Sequence, residues 1–203
     1  MIKCFSHGLL DSNIYVAYDL GEAMIVDCGG AVGPIESFVT EHSLDVKYIV
    51  LTHGHYDHIA HLDEYARAFP NAEIACHKDE LAVLLSPHAN LSAMFSQGRS
   101  YDFPYKLISE GDSLKIGSLT FEILSTPGHT CGSICLICRE KRVMLTGDTL
   151  FKGSHGRTDF PYGNSTLIYD SLKRLLSLDG DIQFFSGHYQ SSFIRDESLP
   201  MIF

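Results

Sequence analysis

The sequence predicts an α/β fold of two sheets with helices on their outer sides, and three observations predict it. β-rich runs alternate with a few helical ones along the chain. The runs fall into two halves, each passing from strands through a helix to a strand that ends in a histidine-bearing loop. The chain has 203 residues, 45% hydrophobic and 20% charged, which suits one domain over 1–203 with a core of its own.

The first strands are expected at 13–18 and 23–27, β-branched and aromatic, with a turn signal between them at 19–22. Cys28-Gly29-Gly30 breaks the second strand. Pro34 then suits the first turn of a helix in which Ile35, Phe38 and Val39 keep helical spacing. The run 46–51 is almost wholly apolar, as a buried strand is. A helix follows at 61–69, with Leu62, Tyr65, Ala66 and Phe69 on one face and Pro70 as its stop. Residues 73–76 read as a short strand and 79–85 as a helix. The polar stretch 86–104, punctuated by Ser, Gly and Pro, is long for a loop without a task. It is either a mobile flap bordering an active site or a tolerated insertion. In the second half, strands are expected at 105–108, 113–116, 119–125, 133–138 and 142–146, then a helix at 166–178 and a last strand at 182–186.

Composition excludes several classes. Lys and Arg number 15 against 25 Asp and Glu, a formal charge of −10. Such a surface does not displace counterions from nucleic acid, nor dock on anionic lipid. No apolar run is long enough for a membrane span, and Met1-Ile2-Lys3-Cys4-Phe5 lacks the features of a signal peptide. A cytoplasmic protein is therefore expected, with its 6 cysteines as free thiols. Cys135 and Cys138 match C-x-x-C in form, but within a strand an offset of three sends the two side chains to opposite faces. Oligomeric state has no sequence signal.

The chain carries 11 histidines, many for its length, and several are patterned. His53-x-His55-x-Asp57-His58, read as a tight loop after a buried strand, sets metal-competent side chains in a short arc. Neutral imidazole and ionised carboxylate are donors for zinc, iron or manganese. Three further segments share the layout of a strand end, a glycine and a potential ligand: Pro127-Gly128-His129, Gly147-Asp148 and Gly187-His188. In each, glycine lets the backbone turn sharply, so that the next side chain reaches a common cleft. Asp27, at the end of its strand, is either a partner to a ligand histidine or a turn-capping residue.

The order T-H-x-H-x-D-H, P-G-H-T, G-D-T and G-H, over nearly the whole chain, resembles the metallo-β-lactamase superfamily. The stretch Gly147 to Phe160 is similar to its short glyoxalase II-like branch and to the related persulfide dioxygenases. The resemblance implies a four-layer αββα sandwich of two mixed sheets with outer helices. It implies that His53, His55 and His129 hold one divalent metal ion and Asp57, His58 and His188 a second, with Asp148 bridging both. Zinc is the expected metal, with iron or manganese as alternatives. Histidine at position 58 points away from the antibiotic-hydrolysing members. Arg157 matches a basic residue that helps hold glutathione in glyoxalase II enzymes, although a structural pair with Asp159 is the competing reading. Lys152 is a second substrate-binding candidate. The helical glutathione-binding domain of full-length glyoxalase II enzymes has no counterpart in the fifteen residues after His188.

The expected chemistry is hydrolysis of a small acyl thioester, of the S-D-lactoylglutathione type, by a hydroxide shared between the two metals. Metals at that spacing lower the pKa of water towards ~7. Asp57 would orient the nucleophile. A thiolate, with a pKa near ~8.5, leaves without much acid assistance. The alternative is an iron dioxygenase acting on a persulfide, because His53, His129 and Asp148 also make a two-histidine-one-carboxylate triad.

Overall fold

The structure is a computed structural model that describes residues 1–199. One sheet contains β1 (Ile2–Ser6), β2 (Asn13–Asp19), β3 (Glu22–Val26), β4 (Asp45–Val50), β5 (Glu73–His77) and β6 (Lys106–Ile108), in that spatial order. Its first three strands pair antiparallel and the remaining junctions are parallel. The other sheet contains β7 (Ser113–Ile116), β8 (Leu119–Ser125), β9 (Ile134–Cys138), β10 (Val143–Gly147), β11 (Gln183–Ser186) and β12 (Ser192–Phe193). There, among the described residues, only β10 and β11 run parallel. Both sheets are thus mixed, as expected. The helices are α1 (Gly33–Glu41), α2 (Tyr56–Ile59), α3 (Leu62–Ala68), α4 (Leu81–Leu84), α5 (Ser92–Phe95) and α6 (Ser165–Leu176).

Strand alternation builds the layers. Along β2, Tyr15 and Ala17 face the second sheet, where they join Phe121, Ile123, Leu136 and Leu145 in an inter-sheet core. Ile14 and Val16, on the other face, join Ile35 of α1 and Leu62 and Tyr65 of α3. On the far side of the second sheet, Cys135, Ile137 and Phe184 pack on Ile168, Leu172 and Leu175 of α6. Helix, sheet, sheet and helix therefore stack in four layers, each boundary apolar. The split of Cys135 and Cys138 between two of these cores follows from their odd spacing, and all six cysteines are free.

α6 starts where Asn164 caps it, its side-chain oxygen accepting from the Thr166 and Leu167 amides at 2.9 and 3.0 Å. The Asn164 amide donates to Gly128 O at 2.7 Å, which fixes that cap to the loop bearing His129.

Three local expectations change. β1, unforeseen, is a half-exposed edge strand held by its ladder to β2, a partner invisible to local sequence. The helix expected at 79–85 divides into the tight turn Lys78–Glu80 and α4, because His77 caps the turn by accepting from the Asp79 amide at 3.3 Å. The loop at 53–58 is extended only to His55, after which α2 forms and is held by the Tyr56 amide donating to Asn90 O at 2.8 Å. Among the described residues no helix is long and apolar enough to cross a membrane.

Candidate metal centre

The donors gather at one edge of the two sheets, each at the C-terminal end of a strand. β4 leads to His53, His55, Asp57 and His58; β8, β10 and β11 lead to His129, Asp148 and His188. Glycine acts in two ways there. Gly128 and Gly147 take φ of 139° and 48°, a region that side chains with a Cβ avoid. Gly187 gives room instead: a Cβ on it would lie 2.2 Å from Asp148 Oδ1 and 2.8 Å from the His58 ring.

Three clusters of donor atoms form, each within 4.8 Å: His53, His55 and His129; His53, His58 and Asp148; and Asp57, His58 and His188. In the first, His129 Nε2 stands 2.8 Å from His55 Nδ1 and 3.2 Å from His53 Nε2. In the last, His188 Nε2 stands 3.2 Å from both His58 Nε2 and Asp57 Oδ2. Asp148 lies between them, with Oδ2 3.6 Å from the Nε2 atoms of His129 and His188 and Oδ1 3.4 Å from His58 Nε2. Nitrogens about 2.1 Å from a tetrahedral ion stand roughly 3.4 Å from each other. The separations of 3.2–3.6 Å are close to such an edge, and the 2.8 Å contact of His55 and His129 is shorter than one. Asp148 Oδ1 is buried without a hydrogen-bond partner, as an oxygen awaiting a cation would be.

The ring orientations are set from behind. His129 donates from Nδ1 to Arg157 O at 2.7 Å, leaving the Nε2 lone pair for the cluster. Asp27 performs the same service twice. Its Oδ2 accepts from His58 Nδ1 at 2.9 Å and from Thr52 Oγ1 at 2.8 Å, and Thr52 Oγ1 meets His53 Nδ1 at 3.1 Å. Its Oδ1 accepts from the Thr52 amide at 2.8 Å. Asp27 holds a left-handed backbone, φ 64°, to make these contacts. Of the two readings of Asp27, the structure selects the histidine partner.

Electrostatics favour the ligand forms of His53, His55, His129 and Asp57. Burial first, then neighbouring imidazoles, holds His53 and His55 well below the usual histidine pKa and keeps them neutral. Burial also lowers His129. Burial would raise Asp57, but His58 and His188 outweigh it and hold the carboxyl below the carboxylate range. His58 is the exception: burial disfavours its charge, yet Asp148, Asp57 and Asp27 push it up to about 10, so a cation must displace its Nε2 proton to be ligated there. A cavity of about 410 Å³ opens above the donors.

Arg157 lines this cavity. Its guanidinium is engaged by Asp159 at 2.6 Å through both Nε and Nη2, and it stacks 4.0 Å from the Phe160 ring centre. Lys152 requires correction. Phe151 turns into the cavity and forms a tight bridge to Ser154, so Lys152 falls in a separate shallow groove with Gln183, Ser191 and Glu197. The stretch 86–104 does border the cavity, through Leu91 and Phe95. It is anchored there: the buried Asn90 donates to Leu84 O at 3.0 Å and Arg99 O at 2.8 Å, and Arg99 pairs with Asp63.

One contributor carries no motif. Glu80 is fully buried behind the histidine loops. Oε1 accepts from the Gly54 amide at 2.7 Å, while Oε2 accepts from Thr130 Oγ1 and the Gly132 amide, both at 2.8 Å. It joins the loop of His53 and His55 to that of His129. Burial pushes its carboxyl up to about 7 despite these donors.

The sequence model of the metallo-beta-lactamase superfamily matches residues 7–188. Hydroxyacylglutathione hydrolase GloC of Haemophilus influenzae is 36% identical over 182 residues, 88% of this chain and 85% of that protein. The crystal structure of BLEG-1 B3 metallo-beta-lactamase superposes with a TM-score of 0.89 at 32% identity, covering 97% of this chain and 95% of the other. TTHA1623 in a di-iron-bound form superposes with a TM-score of 0.84 at 26% identity, covering 96% of each.

Proposed function

This chain belongs to the metallo-β-lactamase superfamily, and from that premise we propose that it is a binuclear metal-dependent hydrolase of small acyl thioesters. The observation that carries the reading is the pair of donor clusters joined by Asp148. His53, His55 and His129 would hold one divalent ion, and Asp57, His58 and His188 the other. Zinc suits the mixed imidazole and carboxylate set, and the di-iron form of TTHA1623 makes iron the first alternative. When bound, the two ions lower the pKa of a water and withdraw charge from a carbonyl oxygen.

The chain's own residues do the rest. Asp27 and the Arg157 carbonyl keep three rings in the tautomer that offers Nε2. Asp57, kept ionised by His58 and His188, lines the cavity, where its carboxylate would orient the attacking water by accepting a hydrogen bond from it. A thioester suits the site because its thiolate leaves at a pKa near ~8.5 without a protonated donor. The relative GloC, named a hydroxyacylglutathione hydrolase, supports S-D-lactoylglutathione as reference substrate. Free cysteines throughout fit a reducing compartment such as the cytoplasm.

The test combines metal analysis by mass spectrometry, on protein purified without added metal, with assays for thiol release from thioesters, oxygen uptake with a persulfide, and β-lactam opening. Two ions per chain with thiol release is the expected result. One iron per chain with persulfide-dependent oxygen uptake would replace this reading by the dioxygenase one. Ring opening of a β-lactam without thioester cleavage would align the chain with BLEG-1.

A further inference from the structure

The walls above the metal donors differ from the donors in chemistry. Six apolar side chains from separate segments surround the cavity: Leu10, Leu91, Phe95, Phe151, Phe160 and Tyr189. Leu10, Phe95 and Tyr189 are 57%, 44% and 73% exposed. Large apolar groups gathered at a cavity mouth and left in water mark a binding surface. Phe95 lies parallel to Tyr56, and Phe151 packs edge-on against His188 and Tyr189, so these aromatic walls are braced.

Backbone strain falls on the same residues. Leu10, Leu91 and Tyr189 have φ of 55°, 65° and 65°, in the left-handed region that a leucine or tyrosine seldom occupies. Each lies beside a polar contact to a neighbouring segment. Ser12, two residues after Leu10, donates to Asp57 O at 2.7 Å. Asn90, before Leu91, accepts through its carbonyl from the Tyr56 amide at 2.8 Å. Tyr189 O accepts from Asn13 Nδ2 at 2.9 Å. The strain sets three apolar side chains around one opening.

Charge is sparse there. Among the described residues Arg157 is the one arginine or lysine lining the cavity, and Asp159 already engages it. A glutathione arm has two carboxylates and an ammonium; the one arginine facing those carboxylates is already engaged, and the carboxylates Asp57 and Asp148 belong to the donor clusters rather than to the lip. We propose that the lip of the cavity selects thioesters bearing an extended apolar group, an aliphatic or aryl acyl chain, over glutathione conjugates. The inference rests on the thioester reading above and narrows its substrate class. The carbonyl sits over the donors, and the acyl chain leaves water along Leu10, Phe95 and Tyr189.

The experiment measures kcat/KM of the metal-loaded enzyme for acetyl, butanoyl, hexanoyl and benzoyl thioesters of N-acetylcysteamine, with S-D-lactoylglutathione alongside. The expected kcat/KM rises about three- to fourfold for each added methylene until the lip is filled. Hexanoyl and benzoyl thioesters exceed S-D-lactoylglutathione. In the double variant Leu10→Asn, Phe95→Ser, whose side chains are exposed in the parent, the hexanoyl-to-acetyl ratio falls towards one. A flat series with S-D-lactoylglutathione preferred overturns the inference and leaves the thioesterase reading standing. A rising series that the double variant leaves unchanged overturns the assignment to the lip. Failure to cleave any of these thioesters, with two metals bound, overturns the thioesterase reading and this inference with it.

Discussion

On the floor of the cavity, His53, His55, His58 and His129 are at most 3% exposed, while at the lip Leu10, Phe95 and Tyr189 range from 44% to 73%. The floor is held by hydrogen bonds that the carboxyls of Asp27 and Glu80 accept. At Leu10 and Tyr189 the lip is held by backbone turns at positive φ, and at Phe95 by α5. A floor with interlocked hydrogen bonds tolerates little change, because losing one partner leaves a buried polar group unmet. A lip of exposed apolar side chains can change without unfolding the protein. The reaction is thus specified by residues that fix one another, and the substrate by residues that mostly touch water.

If that contrast holds, floor substitutions should cost far more than lip substitutions. Asp57→Asn is expected to lower kcat/KM for a thioester by on the order of 10³-fold, since the neutral amide ligates poorly and no longer orients the nucleophile. Steady-state kinetics at saturating metal checks this, and a loss below tenfold would take Asp57 out of the reaction. Asp27→Ala should weaken metal affinity roughly 10- to 100-fold while leaving every proposed ligand in the chain. Competition with a chelator reads that loss, and an unchanged affinity would show that the rings need no support from behind.

Glu80 gives a pH signature. Its folded pKa of about 7 lies above the ordinary glutamate value, so the folded state holds the proton more tightly than the unfolded one. Its contribution is fully present below the unfolded pKa near ~4.3 and is lost as pH rises through about 7, on the order of 3 kcal/mol in all. Glu80→Gln should flatten stability against pH across that window, as read by denaturant melts of the metal-free protein. An unaltered pH slope would place the titration elsewhere. At the small end, Leu10→Asn should shift stability by no more than about 0.5 kcal/mol, because asparagine tolerates left-handed backbone. A loss of several kcal/mol would make the lip part of the core.

The same contrast explains what the sequence could reveal. The cluster at Thr52 to His58 was legible because side chains able to hold a metal recur there at short fixed intervals on the chain. His129, Asp148 and His188 were legible because a glycine precedes each at a strand end. The layers were legible because strands such as β2 alternate between two cores. Glu80 was not, since a glutamate between Asp79 and Leu81 reads as an exposed helical residue, and only the fold closes three loops around it. The lip was not either. A leucine before Asp11-Ser12 gives no sign of positive φ, and residues 10, 95 and 189 meet only after both sheets have formed. Lys152 failed because adjacent residues in a tight bridge face opposite ways, and Phe151 takes the cavity side. Within the final stretch of chain, residues 200–203 lie outside the described structure.

The central claim is that Asp148 serves two ions at once, one oxygen directed to His58 and the other towards His129 and His188. Metal content per chain in Asp148→Ala, beside the parent protein and by mass spectrometry without added metal, tests it most directly. The parent should carry two ions and the variant well below one, because both sites lose a donor together. A variant that keeps two ions, or one that loses a single ion and fills the other site completely, would contradict the shared bridge.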